Sequence, residues 1–260
     1  MNNIIIYFPL GAGGNLIRNI ISLDTAFEFY DGSPFHREYV TTQERFDFTQ
    51  KFYQESVTPD TWLDREWRIR TALHVRHYEE NGIAHWNPDA RSVYLIHGET
   101  AEMYNISINK QLTNFNRSAI EIGNAVESVT KKGLWSCYHL FVIPDNIDLF
   151  TKIYATKNGT LNQFNVANDV AARYHRAEMH NRNLNFKLLE FQKFIQNQSN
   201  RTITVRAEDL FAESGADMLI DLLPRLRVTV PEEMIKPIHS IWLQSTKQLY
   251  YNSYGEELKL

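Results

Sequence analysis

Three glycines within four positions, Gly11, Gly13 and Gly14, with Asn15 directly after them, are the residues of this chain whose spacing points most plainly to chemistry. They follow the apolar run Ile4 to Phe8 and precede Leu16-Ile17-Arg18-Asn19-Ile20-Ile21, so a buried strand, a tight turn and an amphipathic helix are expected in that order. Backbone N–H groups exposed by such a turn, at the positive end of a helix dipole, form a concavity that suits a phosphate or sulfate oxygen. Asn15, expected near the helix N-cap, can satisfy an orphan N–H or turn toward a ligand. Two familiar anion loops are excluded. The lysine and hydroxyl of G-x-x-x-x-G-K-[ST] are absent, and the third glycine of G-x-G-x-x-G is replaced by Leu16. A plain strand-to-helix turn is the competing reading, and three glycines straight after a wholly apolar strand favour the anion site over it.

A second candidate is His97, which follows the apolar segment Ser92-Val93-Tyr94-Leu95-Ile96. A polar residue just past the carboxyl end of a buried parallel strand is where ligand-binding groups lie in open α/β sheets. His74, His77 and His85 raise the question of a metal, but neither a zinc spacing with cysteine nor H-E-x-x-H is present, so a surface or packing role is preferred. Arg206, Glu208 and Asp209 follow the run Thr202-Ile203-Thr204-Val205 and read as an arginine-paired, helix-capping group that orders the sheet edge. Arg18 is expected to be exposed at the start of the first helix, either reaching an anion or simply solvated.

The elements that position these residues alternate in type. Residues 24–40 are turn-like, around Asp31-Gly32-Ser33-Pro34. Residues 41–80 look helical and charged, with Phe46, Phe48, Phe52, Trp62 and Trp67 as aromatic anchors, and 41–90 is expected to be a helical insertion. Helices are expected at 117–131, at 147–155 behind a cap at Asp145 or Asn146, and over 162–197 as one or two amphipathic helices. Leu140 to Ile143 and Thr202 to Val205 read as strands, 216–223 as a helix, and a last helix begins near Pro231, with Glu232 and Glu233 suiting its dipole. Strands alternating with helices predict an α/β fold, three layers (α/β/α) around a mostly parallel sheet.

Length and composition set the bounds. The 260 residues suit one large domain. A net charge of −4 argues against a general nucleic-acid binder. The single cysteine, Cys137, excludes an internal disulfide and fits a reducing compartment; with no basic leader or long apolar segment evident, a cytoplasmic protein without membrane contact is expected.

With these pieces placed, the chain resembles the sulfotransferase family, enzymes of P-loop-like α/β fold that use 3′-phosphoadenosine 5′-phosphosulfate. Leu10 to Ile17 aligns with the family's loop Pro-(Lys/Arg)-Ser-Gly-Thr-Thr-(Leu/Trp)-Leu, with Ala12 at the serine, Gly13 at the glycine, and Gly14 and Asn15 at the threonines. Arg91 to His97 is similar to the family's strand that ends in a general-base histidine, and Val205-Arg206-Ala207-Glu208-Asp209-Leu210 to its Arg-Tyr-Glu-Asp-Leu strand end. The loop's Lys or Arg is replaced by Gly11, or by Leu10 under a one-residue shift. The family's 3′-phosphate arginine falls on Ile143, and the serine eight positions later on Thr151.

The resemblance implies sulfuryl transfer to a hydroxyl or amine of a small-molecule or glycan acceptor, with no metal. Gly11, Ala12, Gly13, Gly14 and Asn15 would grip the phosphosulfate, Thr151 would supply a hydroxyl, and Arg18 or Lys152 would replace the missing positive charge. His97 would act as base, a role that a pKa near 6.5 suits. Two alternatives stand beside this one. The first is a catalytically inactive relative that binds glycans or assembles as a homodimer, favoured by the lost cations; the second is a magnesium-dependent kinase on the same fold.

Overall fold

The computed structural model describes residues 3–27, 41–55, 93–96, 137–157 and 170–259. His74, His77, His85, His97, the expected helix at 117–131 and most of the expected insertion lie outside them.

Four strands, β1 (Ile4–Tyr7), β2 (Val93–Ile96), β3 (Tyr138–Ile143) and β4 (Thr202–Arg206), form a sheet of order β2-β1-β3-β4. All three pairings are parallel, with Tyr7 level with Ile96 on one side and with Phe141 on the other, and Ile143 level with Arg206. The helices among the described residues are α1 (Gly14–Ile21), α2 (Thr42–Glu55), α3 (Ile147–Lys157), α4 (Val170–Gln198), α5 (Ala207–Phe211), α6 (Gly215–Arg225) and α7 (Glu232–Tyr254). An α/β protein with a parallel sheet is thus present, and β1 is buried at every position because a central parallel strand is covered on both faces.

Strand alternation divides the sheet into two apolar surfaces. Ile4, Ile6, Tyr138, Leu140, Val142, Ile203 and Val205 join the main core together with Ile17 and Ile20 of α1, Leu219 of α6 and Trp242 of α7. On the opposite surface Tyr7 stacks on Phe141 at 4.5 Å between centroids, and both rings meet the edge of Phe191 from α4. The Tyr7 hydroxyl and His139 Nδ1 are hydrogen-bonded there at 3.1 Å. Burial holds the Tyr7 phenol far above its ordinary pKa, so it stays protonated in the apolar layer.

Local chemistry sets several element ends. Thr41 and Glu44 exchange hydrogen bonds in a capping box that starts α2, and Arg45 ties α2 to the end of α1 by donating to the carbonyls of Ser22, Asp24 and Phe27. The segment expected as one or two helices forms a single helix, α4, over its described part. Two features were not expected. Arg206 passes straight from β4 into the short helix α5, and Pro231 is the N-cap of α7 rather than its first helical residue.

Candidate functional site

The carboxyl edge of the sheet has a fork between its two middle strands. In sequence β1 leads to β2 on one side, and β3 leads to β4 on the other, so the crossovers of these neighbours diverge between the ends of β1 and β3. Open α/β sheets bind ligands in that crevice. The glycine turn leaves β1 at this point, and the Pro144–Asn146 turn leaves β3 beside it.

The turn is shaped by contacts on both of its sides. Gly11 and Gly13 take positive φ, 89° and 84°. A Cβ on Gly11 would run into the Phe150 carbonyl of α3, and one on Gly13 would lie 2.5 Å from Leu210 Cδ2, with Trp242 behind it. Gly14 is covered by the Phe8 ring. Close packing against α3, α5 and α7 therefore accounts for the glycines without a ligand, which the sequence alone does not reveal. Gly13 is also the N-cap of α1, in a left-handed conformation with no side-chain capping bond, and Asn15 is the second helical residue. Leu16 and Ile17 both direct their N–H groups at the Gly13 carbonyl. For the N–H groups of Gly13 and Gly14 no acceptor is present among the described residues, which leaves two backbone donors at the positive end of α1.

The turn ahead of the neighbouring helix is bridged by a side chain. Glu208 Oε1 accepts from the N–H groups of Asp145 and Asn146, at 2.9 Å each, and Asn146 caps α3 by accepting from Leu149 N at 3.1 Å. Arg206 closes the group with a 2.8 Å ion pair to Asp145. The Arg206–Glu208 region thus braces the β3–α3 turn.

The basic and hydroxyl residues named for the site lie elsewhere. Arg18, expected to be exposed, is fully buried; its Nε donates to Asn19 Oδ1 at 2.9 Å, and Asn19 donates in turn to the Tyr53 hydroxyl. The helical pattern suggested an outer face at Arg18, but α1 is buried over almost its entire surface. Thr151 is 1% exposed, donates to the Ile147 carbonyl at 2.8 Å and accepts from Asn181, so its hydroxyl serves the protein interior. Lys152 points to the end of α7, 3.5 Å from Glu256 and over the Tyr254 ring. Ala12 is buried, with its N–H bonded to the Pro9 carbonyl at 3.2 Å.

Sequence reasoning missed Asn181. From the middle of α4 its Oδ1 accepts from Leu10 N at 2.9 Å, while Nδ2 donates to the Leu10 carbonyl and to Thr151 Oγ1, at 3.0 Å each. It also missed His239 of α7, buried with Nε2 2.8 Å from the Leu210 carbonyl.

Arg18 and Lys152, expected to supply the positive charge that the loop lacks, are thus engaged elsewhere. No cluster of metal-ligating side chains is found among the described residues, and none of the described helices is long and apolar enough to cross a membrane. Comparison with protein-family models, with curated proteins and with solved structures gives no match to this chain.

Proposed function

We propose that the protein is a sulfotransferase-like enzyme of P-loop-like, three-layer fold, moving a sulfuryl group from 3′-phosphoadenosine 5′-phosphosulfate to a hydroxyl or amine of a small-molecule or glycan acceptor. The observation that carries the proposal is the glycine turn at the fork of the parallel sheet, with the Gly13 and Gly14 N–H groups left as donors at the start of α1. The resemblance of Arg91–His97 and of Val205–Leu210 to sulfotransferase segments supports it.

The donor, when bound, supplies a sulfuryl group already activated by its bond to phosphate. The turn's N–H groups hold the phosphate end and offset the charge that accumulates there, as preorganised donors do in an oxyanion hole. The dipole of α1 adds positive potential without a lysine. The proposal gives His97, next in sequence after the last residue of β2, the role of removing the acceptor's proton.

A second reading is favoured by a specific observation: Arg18 is turned inward and Lys152 is engaged by Glu256. A relative that has lost donor chemistry and kept its cleft for binding would look the same. Thermal melting separates the two. With adenosine 3′,5′-bisphosphate at about 100 times its Kd, linkage adds about 2.7 kcal/mol, which in a chain of this size is a rise of about 5–10 °C. No rise at millimolar bisphosphate would overturn donor binding and leave the binding-protein reading; a rise only with magnesium and ATP would indicate a kinase.

A further inference from the structure

We infer that Asn181 is the positioning residue of the glycine turn: it fixes the backbone from which Gly13 and Gly14 present their N–H groups, and it locks that backbone to Thr151 on α3. Leu10 lies past the last paired residue of β1, Tyr7, so no neighbouring strand serves its N–H and C=O, and at 4% exposure water does not serve them either. Asn181 pairs with both. Its carboxamide has the donor and acceptor of a peptide group, so it continues the hydrogen-bond ladder for one residue beyond the sheet.

The remaining Nδ2 proton extends the link to the Thr151 hydroxyl, which donates onward to the Ile147 carbonyl. Gly11, the next residue after Leu10, packs on the Phe150 carbonyl of that same helix. One end of the turn is therefore held through Leu10 by Asn181, and the other through Gly13 by Leu210 and Trp242. Asn181 is fully buried and bonds the turn through the main-chain N–H and C=O of Leu10, so it acts through the backbone and not on a ligand. Aspartate could accept from Leu10 N but, ionised, could not donate to the carbonyl or to Thr151, and alanine would leave both Leu10 groups unsatisfied.

The test compares Asn181→Ala with Leu219→Ala, a core truncation in α6 chosen as a stability control, by hydrogen exchange at Leu10 to Asn15 in the ligand-free protein. The inference predicts that Asn181→Ala speeds exchange across the turn by about tenfold or more relative to exchange in α7, the range that loss of a buried hydrogen bond corresponds to, while Leu219→Ala leaves that ratio unchanged. Should Asn181→Ala not fold, Asn181→Asp, which keeps the side-chain volume, is expected to raise turn exchange in the same way. Equal ratios in the folded Asn181 variant and in Leu219→Ala would overturn the inference. A second arm rests on the proposed function: affinity for adenosine 3′,5′-bisphosphate should fall about tenfold or more in the Asn181 variant and not in the control. If the wild-type protein binds no bisphosphate, the functional proposal fails and turn exchange still decides the role of Asn181.

Discussion

Gly13 and Gly255 both hold positive φ, 84° and 69°, but a Cβ on Gly255 would meet open space while one on Gly13 would press on Leu210. Left-handed backbone alone costs an L-residue about 1–2 kcal/mol, and overpacking a filled core adds about 1–3 kcal/mol. Gly255→Ala should therefore cost about 1–2 kcal/mol and Gly13→Ala about 2–5 kcal/mol in urea unfolding; equal losses would mean that Leu210 yields freely. The difference shows what the sequence does and does not disclose. The glycine spacing announces a turn, but whether its space is kept for a ligand or for Leu210, Phe150 and Phe8 depends on residues far along the chain. Arg18, Thr151 and Lys152 are illegible for the same reason: type and spacing mark them as polar, and only the surrounding helices decide that Arg18 and Thr151 turn inward and Lys152 toward Glu256. Asn181 gives no local signal, since its partner Leu10 is 171 positions away.

Helix ends and faces were more readable. Asn146 caps α3 as its type and place suggest, and Glu232 and Glu233 sit in the first turn of α7. The transition from β4 into α5 was not legible, because Arg206-Ala207-Glu208-Asp209 has no breaker and its helical turn is set by the tertiary bonds of Glu208. The α7 helix reaches the glycine turn through Trp242, and it reaches α5 through His239 at the Leu210 carbonyl. Burial lowers the His239 pKa below the ordinary histidine value, outweighing the Leu210 carbonyl, which favours the protonated ring; Glu213 and Asp217 also raise the pKa and Lys247 lowers it. The unfolded chain then takes up this proton at a higher pH than the folded one. The contribution of His239 to stability is complete above about pH 6.5 and is lost as pH falls through that value toward the folded pKa. Melting temperatures measured between about pH 7.5 and 5 should decline more steeply in the wild type than in His239→Gln; parallel declines would show that the histidine is not held neutral.

The four described strands and the helices on both faces of the sheet follow from alternating apolar runs and amphipathic segments, which is why the α/β class was legible. The strand order was not, because parallel pairing depends on crossovers whose lengths carry no pattern. Yet that order matters for the proposed site, since it places the divergence of the crossovers beside the glycine turn. Glu208 takes the N–H groups of Asp145 and Asn146 ahead of α3, while the Gly13 and Gly14 N–H groups at the start of α1 have no acceptor among the described residues. The decisive measurement is an amide NMR titration of the wild-type protein with adenosine 3′,5′-bisphosphate. The proposal predicts saturable shifts centred on the Gly13 and Gly14 amides, with smaller ones along the turn from Gly11 to Asn15. Saturable shifts that leave these glycines unmoved, or no shifts at millimolar ligand, would contradict it.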